Sequence, residues 1–250
     1  IMFEKVNAGH PDKMADRLAG AVVDLVYERA GGLTKANPRV ACEVMAGHGR
    51  VDVQIETSLG RLDLRADDLD PLIHRLFGER VEGNVLIAPQ DPHLSDNQTR
   101  GLRCGDNGIF KGCPPTEEQR VLTAIAATIY GSIPYDGKYI IEQRDGQWDL
   151  TVCQSHLSRE QEPELRQMLK EAYNVHLPTI NPLGPWTGGI DVDCGCTNRK
   201  LGSDMGDGVT GGGLMGKDLS KADVSVNIVC YLKAVASGQV VTAICSIGDE

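Results

Sequence analysis

The chain has 250 residues, and its 25 basic and 35 acidic side chains give a formal net charge of −10. This acidic balance argues against a general binder of nucleic acid or anionic membranes. No run of about 18 apolar residues and no signal-peptide pattern is present, so we expect a soluble, cytoplasmic protein. Eight cysteines without a Cys-x-x-Cys pair indicate reduced, buried thiols, with a zinc site at Cys194 and Cys196 as the less favoured alternative.

The first part of the chain predicts a helix, two strands, a helix and a strand. Pro11 suits a first helical position, an apolar stripe with helical spacing follows it, and Gly31-Gly32 ends the helix. The second of the two strands alternates apolar and polar residues. The predicted elements are a helix from Pro11, strands over 39–46 and 50–59, a helix over 66–78 and a strand over 83–88.

The order helix, strand, strand, helix then recurs. Asp145-Gly146 predicts a hairpin between two strands. We therefore predict an α+β fold of repeated α-β-β-α units with pseudo-threefold organisation, in which the third unit is abridged. The elements are a helix over 117–130, strands over 138–143 and 147–154, helices over 159–173 and 223–237, and a strand over 239–247. The predicted units are 1–110, 111–180 and 181–250, and we expect them to be interleaved.

A glycine-rich stretch, GGGLMGKDLSK over 211–221, raises the possibility of a phosphate-binding loop. Glycine lets backbone N–H groups approach an anion closely. Gly211, Gly216 and Lys217 fit the P-loop pattern, but Asp218 stands where the Ser or Thr that holds Mg²⁺ is required. A true P-loop is therefore not favoured, and a flexible turn that leads into a helix is the structural alternative.

Four cations lie inside or beside this glycine-rich region, namely Arg199, Lys200, Lys217 and Lys221. A polyphosphate needs this many cations, each contributing about 4 kcal/mol at about 4 Å and an effective dielectric near 20, before desolvation. Asp12, Asp193 and Asp223 are carboxylates of the kind that hold Mg²⁺ beside phosphates, and His10 precedes a helix N-terminus, which attracts anions. The alternatives are a solvated basic face, helix-capping aspartates and a structural histidine.

Eight motifs in collinear order, over nearly the whole chain, resemble those of the S-adenosylmethionine synthetase (methionine adenosyltransferase) family. They are GHPDKMAD (9–16), RVACE (39–43), IETS (55–58), CGDNG (104–108), DGK (136–138), INPLGPW (180–186), DCG with NRK (193–200) and GGGLMGKDLSKAD (211–223). The family has Lys-Asp in its own phosphate loop, so Asp218 fits this resemblance.

The resemblance implies a reaction between ATP and L-methionine. In the family the methionine sulfur attacks C5′ of ATP, and the triphosphate leaves and is hydrolysed to phosphate and pyrophosphate. A thioether has no proton to lose, so the work falls on alignment and on stabilising the leaving triphosphate. The resemblance also implies the cofactors Mg²⁺ and K⁺ and a homodimer, or a tetramer, with the active site between subunits.

Roles for individual residues follow from the same resemblance. The residues implied in catalysis are His10, Lys138, Arg199, Lys200, Lys217 and Lys221. Those implied in ATP binding are Glu4, His10, Asp136, Lys138, Trp186, Asp193, Arg199, Lys200 and Lys217. Those implied in methionine binding are Glu56, Gln90, Asp106, Asp193 and Lys221. Asp12 and Asp223 are implied ligands of Mg²⁺ and Glu43 of K⁺, and residues 90–101 correspond to the family's mobile loop over the site.

The chain also departs from the family pattern and is shorter than usual, so we expect a short, divergent member. Ala8 stands where Glu is usual, Pro185-Trp186 replaces Arg-Phe, and Val224 follows Asp223 in place of Arg. Two alternatives stay open. One is a non-catalytic nucleotide-binding homologue that regulates a full-length partner. The other is an enzyme that hydrolyses ATP or triphosphate without methionine.

Overall fold

The computed structural model describes residues 2–31, 38–60, 63–98, 101–205 and 217–250, so the glycines predicted to bind phosphate, 211–216, lie outside the described residues. Within these ranges, helices pack on three β-sheets, and the predicted α+β fold class is confirmed. The order helix, strand, strand, helix occurs twice along the chain. The pseudo-threefold relation between the units stays a prediction.

The first layer positions most of the site. Its sheet pairs β2 with β3 in antiparallel fashion and β3 with β4 in parallel fashion. Alternate residues of β2 and β3 pack with helices α1 and α2 into an apolar core, and the opposite face of the sheet is open. The elements are α1 (Pro11–Arg29), β2 (Val40–Gly47), β3 (Arg50–Thr57), a 3₁₀ turn (Ala66–Asp68), α2 (Asp70–Phe77) and β4 (Glu82–Pro89).

Two short strands share the outer edge of β2. Strand β9 (Cys194–Cys196) pairs with the end of β2 at Met45–Gly47, and β10 (Lys217–Asp218) pairs with Cys42 and Ala41 near the other end. The chain therefore leaves one end of β2 and returns at the other. From Met45 to Ala41 the distance along the strand is about 14 Å, at roughly 3.4 Å per residue.

The second layer has its own sheet and its own apolar core. Its strands lie in the order β1-β6-β7-β8, so the N-terminal strand pairs with a strand more than half the chain away. Asp145 (φ 49°) and Gly146 (φ 78°) form the tight turn between β6 and β7, which confirms the predicted hairpin. The elements are β1 (Met2–Val6), α4 (Glu117–Ser132), β6 (Gly137–Arg144), β7 (Gln147–Gln154), α5 (Glu162–Tyr173) and β8 (Thr179–Ile180).

The third group of elements is small. Strand β5 (Gly108–Gly112) pairs with β11 (Val241–Cys245), and α7 (Asp223–Ser237) packs beside them. Two short helices connect the groups: α3 (Pro92–Asn97) lies before β5, and α6 (Leu201–Met205) follows β9. Among the described residues, none of the helices combines the length and apolar character that a membrane crossing needs. All eight cysteines are free, but only Cys42, Cys104 and Cys230 are buried as predicted, whereas Cys194 is exposed and the other four are half-buried.

Candidate active site

The start of α1 places His10 and Asp12 beside each other. His10 has extended backbone angles (φ −66°, ψ 141°) before Pro11, and its Nδ1 accepts a hydrogen bond from the backbone N–H of Asp12 at 3.2 Å. Because Nδ1 accepts, the proton of the neutral imidazole resides on Nε2. Burial lowers the pKa of His10, and the carboxylate of Asp12 opposes this only in part.

Asp12 is 1% exposed, and its carboxylate holds strand β9 beside the start of α1. Its Oδ1 accepts a hydrogen bond from the backbone N–H of Cys196 at 2.8 Å, and Gly195 packs directly against the backbone of Pro11, where a side chain would overlap. Arg199 Nε lies 3.5 Å from Oδ1, and Lys200 Nζ lies 3.3 Å from Oδ2. Despite the nearby ammonium group, Oδ2 has no hydrogen-bond partner. A buried acceptor in this state is suited to coordinate a cation.

A second carboxylate, Asp136, approaches from the β6 side. Its Oδ2 accepts a hydrogen bond from the backbone N–H of Gly189 at 3.1 Å. Burial raises the pKa of Asp136 to about 6, the Gly189 hydrogen bond opposes this, and the charges of Asp193 and Asp12 raise it further. Gly188 lies between the indole of Trp186 and this carboxylate, so a side chain at residue 188 would overlap both.

These residues form one assembly, which we call the Asp12 cluster. The positive charges of Lys200 and Lys138 lower the pKa of His10, and the negative charge of Asp193 raises it. Lys138 Nζ lies 3.2 Å from Glu4 Oε2. The members come from three separate stretches of sequence and are His10, Asp12, Asp136, Lys138, Asp193, Arg199 and Lys200.

Of the five residues predicted to bind methionine, Asp193 belongs to the Asp12 cluster and the other four lie elsewhere. Glu56 is the β3 partner of Ala41 and lies on the open face of the sheet, because its neighbours in β3 are buried. The backbone N–H of Gln90 donates to the carbonyl of Thr57 at 3.0 Å. Gln90 is 8% exposed, yet neither its Oε1 nor its Nε2 has a hydrogen-bond partner. An unsatisfied buried amide is costly, so both polar atoms of this side chain are available to a bound group.

Asp223 lies near this end of the sheet, in the first turn of α7. Its Oδ2 accepts a hydrogen bond from the backbone N–H of Gly105 at 2.9 Å, whereas its Oδ1 is buried without a partner. The side chain of Lys221 lies against Gly105, where a Cβ would overlap it, and the exposed Asp106 follows directly. We call the set Glu56, Gln90, Asp106, Lys221 and Asp223 the Gln90 group.

Hydrogen bonds join the parts of the Gln90 group. Arg39 donates to the carbonyl of Gln98 at 2.9 Å, and the side chain of Gln98 accepts from the backbone N–H of Arg103 at 2.7 Å. The backbone N–H of Ala222 in turn donates to the carbonyl of Arg103 at 2.9 Å. Since Arg39 directly precedes β2, these bonds connect the start of α7 to the end of the sheet where Gln90 lies.

Within one chain, the Asp12 cluster and the Gln90 group lie apart. The Asp12 cluster lies beside the Met45–Gly47 end of β2, on the side of the sheet covered by α1, whereas Glu56 lies beside Ala41 on the open face. Asp12 and Asp223, both predicted to hold Mg²⁺, therefore belong to different sets. Glu43 is exposed on the open face, and the backbone of Lys217 runs in β10 near the Gln90 group.

Both predicted Mg²⁺ ligands have a property that fits a metal. Asp12 Oδ2 and Asp223 Oδ1 are buried acceptors without hydrogen-bond partners. Magnesium commonly takes only one or two protein carboxylates and completes its octahedron with water and phosphate oxygens. Within the described ranges, no group of three or more His, Cys, Asp or Glu residues is arranged to hold a metal ion.

A buried polar network of Asn7, Tyr139 and Gln154, which the sequence did not reveal, supports the Asp12 cluster. Asn7 Nδ2 donates to Tyr139 Oη at 2.8 Å, and Tyr139 Oη donates to Gln154 Oε1 at 2.6 Å. Gln154 Nε2 donates to the carbonyl of Asp136 at 3.2 Å, and Asn7 Oδ1 accepts from Gly9 N–H at 3.0 Å. The network therefore positions the residues next to His10 and Asp136. Its only signal in the sequence was that Asn7 lies just before the first motif.

Comparison with known proteins supports the resemblance seen in the motifs. Residues 1–66 match the family model "S-adenosylmethionine synthetase, N-terminal domain". The chain is 26% identical over 280 residues to the S-adenosylmethionine synthase of Rhodopseudomonas palustris (strain BisB5), covering 89% of this chain and 70% of the relative. It is 29% identical over 277 residues to that of Ruegeria pomeroyi, covering 89% and 69%. It is 28% identical over 291 residues to that of Helicobacter pylori (strain J99), covering 97% and 74%.

A solved structure shows the same fold. An unusual S-adenosylmethionine synthetase from Campylobacter jejuni superimposes with a TM-score of 0.74 at 21% identity, covering 100% of this chain and 78% of that chain. The resemblance to S-adenosylmethionine synthetases is confirmed by the family model over residues 1–66 and by the named synthases.

Proposed function

We propose that this chain synthesises S-adenosylmethionine from ATP and L-methionine, the product for which its relatives are named. The observation that carries the proposal is the Asp12 cluster itself. A helix N-terminus, with its dipole and its backbone N–H groups, attracts an anion. Lys138, Arg199 and Lys200 add positive charge at this point. We assign the triphosphate of ATP to this cluster.

His10 is assigned to the leaving group. The hydrogen bond at Nδ1 makes Nε2 a donor, and the lowered pKa keeps the ring neutral near pH 7. As the sulfur forms its bond to C5′, the C5′–O bond breaks and its electron pair leaves with the triphosphate. A hydrogen bond from Nε2–H to that oxygen strengthens as the charge develops, which favours the transition state. The thioether releases no proton, so the step needs no general base.

Asp12 Oδ2 is our proposed Mg²⁺ ligand at the phosphates, and Asp223 Oδ1 is a second. When bound, Mg²⁺ neutralises charge on the phosphate oxygens. Lys217 and Lys221 are proposed to hold the same triphosphate and to assist its hydrolysis. Glu43, with its exposed carboxylate, is the proposed K⁺ ligand.

We further propose a homodimer with the active site between its chains. Methionine and ATP must meet, yet the Asp12 cluster and the Gln90 group lie at opposite ends and on opposite faces of one sheet. A two-fold related copy can place the Gln90 group of one chain against the Asp12 cluster of the other. The open face supports this arrangement, because Met45 and Leu86 are both 58% exposed there.

The first experiment is to incubate the pure protein with ATP, L-methionine, Mg²⁺ and K⁺ and to resolve the products by mass spectrometry. We expect S-adenosylmethionine, pyrophosphate and phosphate, all dependent on methionine. Each component is omitted in turn, and Glu56→Ala serves as the variant that should lose methionine use. Phosphate release that is indifferent to methionine would indicate a hydrolase instead, and ATP binding without any turnover would indicate a regulatory homologue.

A further inference from the structure

We propose that Asp16 and Asn198 are positioning residues, which fix the turn that carries Arg199 and Lys200 and so set the geometry of phosphate binding. The inference rests on the proposed function for one point, the identity of the ligand as a triphosphate. Neither residue belongs to the Asp12 cluster, and neither needs to touch the substrate.

Asp16 holds the turn from the α1 side. It lies one helical turn after Asp12 and is 7% exposed. Its Oδ1 accepts a hydrogen bond from the backbone N–H of Asn198 at 2.8 Å, just as Asp12 Oδ1 accepts from that of Cys196. Residues four apart lie on one face of a helix, so the two carboxylates hold alternate N–H groups of the returning chain.

Asn198 supplies the change of direction. Its φ of 59° is in the left-handed region, which is strained for most residues with a Cβ and is tolerated best by Asn among them. Strain of this kind persists only when the surroundings hold it in place. The bond from Asp16 does so, and the chain then turns back so that Arg199 and Lys200 face Asp12.

The turn is also held from the side of the sheet. The backbone N–H of Thr197 donates to the carbonyl of Val44 at 3.0 Å, and the hydroxyl of Thr197 accepts from Val44 N–H at 3.3 Å. The turn is therefore fixed between α1 and β2. Because its other contacts are fixed, the backbone angle at Asn198 determines the direction in which Arg199 and Lys200 point.

An ion pair within α1 does not account for Asp16. Its Oδ2 accepts from Lys13 Nζ at 2.8 Å, and this contact lies within one turn of the helix. Burial lowers the pKa of Lys13, but its hydrogen bonds to Asp16 and Asp204 outweigh that effect and raise the pKa overall. A charged Lys13 would need only one carboxylate oxygen of Asp16. The bond from Oδ1 to Asn198 crosses to a segment far away in sequence and is the one that the site requires.

The test compares left-handed residues at two places. Asn198→Ala should weaken binding of inorganic triphosphate with Mg²⁺ by about ten-fold or more, because alanine disfavours the left-handed angle and the cations move. Asn198→Gly should bind within about two-fold of wild type, because glycine adopts this angle freely. Asn174→Ala, at the left-handed end of α5 (φ 55°), is the matched control, which should lower the melting temperature without changing affinity. Asp16→Ala should resemble Asn198→Ala.

Binding is measured by titration calorimetry and stability by scanning calorimetry. Triphosphate binding by Asn198→Ala within about two-fold of wild type would overturn the inference, as would Asn198→Gly that binds as weakly as Asn198→Ala. A wild-type protein that binds no triphosphate would overturn it too. A wild type that binds triphosphate but forms no S-adenosylmethionine would remove the proposed function and leave the positioning role to be decided by the same affinities.

Discussion

The Asp12 cluster and the Gln90 group differ in how completely their buried polar atoms are satisfied. In the first, Asp12 Oδ1 and Asp136 Oδ2 accept backbone hydrogen bonds, and Asp12 Oδ2 accepts no hydrogen bond but lies 3.3 Å from Lys200 Nζ. In the second, both amide atoms of Gln90 and Oδ1 of Asp223 are buried without partners. Under the proposed function, one end of β2 would therefore be organised in advance for the triphosphate, whereas the other would gain its hydrogen bonds on binding, from a ligand or from a second chain.

The first prediction tests whether the Asp12 cluster and the Gln90 group of different chains form one site, by altering each set in a separate chain. Asp12→Asn and Glu56→Ala should each lower the turnover of a pure homodimer about 1,000-fold or more, because each removes a charged group from every site. In a two-fold dimer with shared sites, a mixed pair has one doubly altered site and one intact site. After the two variants are unfolded and refolded together in equal amounts, we expect activity to return to about one quarter of wild type.

The control for this experiment is each variant refolded with itself, which should stay inactive. Activity that does not return on mixing, with mixed dimers demonstrated by native mass spectrometry, would place both sets in one chain and contradict the shared site.

A second prediction concerns the buried carboxylate of the Asp12 cluster. Lys200→Ala leaves the side chain of Asp12, 1% exposed, without its closest ammonium group. We expect a loss of about 1–3 kcal/mol in the free energy of unfolding and of about 100-fold in kcat/KM for ATP. Adding Asp12→Asn should restore the stability, measured in urea, but not the activity. A single variant as stable as wild type would show that Asp12 does not depend on Lys200.

A third prediction contrasts a satisfied and an unsatisfied glutamine. Gln90→Leu should stabilise the ligand-free protein by about 1 kcal/mol, because it removes two buried polar atoms that lack partners, and it should abolish methionine use. Gln154→Leu is the matched control. That side chain is also buried but hydrogen bonds to Tyr139 and Asp136, so its loss should cost about 2–4 kcal/mol. Equal effects in thermal unfolding would remove the contrast between the two regions.

The smallest expected effect is a pH dependence at Asp136. Its pKa is raised from the ordinary 3.8 to about 6, so the folded state binds more protons than the unfolded state between these values. The carboxyl group therefore lowers stability as the pH rises through about 6, and this cost is complete above that value. Asp136→Asn keeps the acceptor for Gly189 and lacks the ionisation. Its melting temperature relative to wild type should rise by a few degrees from about pH 4 to about pH 7, and a constant difference would contradict the raised pKa.

Much of the fold was predicted because its elements have local patterns. Helix α1 and the β6–β7 hairpin follow from an apolar stripe and from Asp145-Gly146. The predicted helix over 66–78 is instead a 3₁₀ turn followed by α2, since Pro71 suits the first turn of a new helix. Strand β1 was missed because it is short and pairs with β6, and strand β9 because it has three residues within a glycine-rich loop. A strand this short contains too few residues to show an alternating pattern, and its formation depends on a partner that is remote in sequence.

The candidate site was predicted by residue but not by arrangement. The motifs identified His10, Asp12 and the cations, of which the structure places Lys138, Arg199 and Lys200 in the Asp12 cluster but Lys221 in the Gln90 group. That Glu56 lies at the other end of β2 depends on register, which the motifs do not contain. Asp16 belongs to the motif over 9–16, but the sequence does not show its hydrogen bond to Asn198. That bond joins two segments 182 residues apart in the chain.

The turn at Asp145 and Gly146 has a practical consequence. It closes the far end of the β6–β7 hairpin, whereas Gly137, at the near end, adjoins Asp136 in the Asp12 cluster. The two ends are about 24 Å apart at roughly 3.4 Å per residue. An exposed two-residue reversal of this kind tolerates an inserted peptide. A fluorescent tag inserted between Asp145 and Gly146 would therefore lie far from the Asp12 cluster and would report by energy transfer whether the proposed dimer forms.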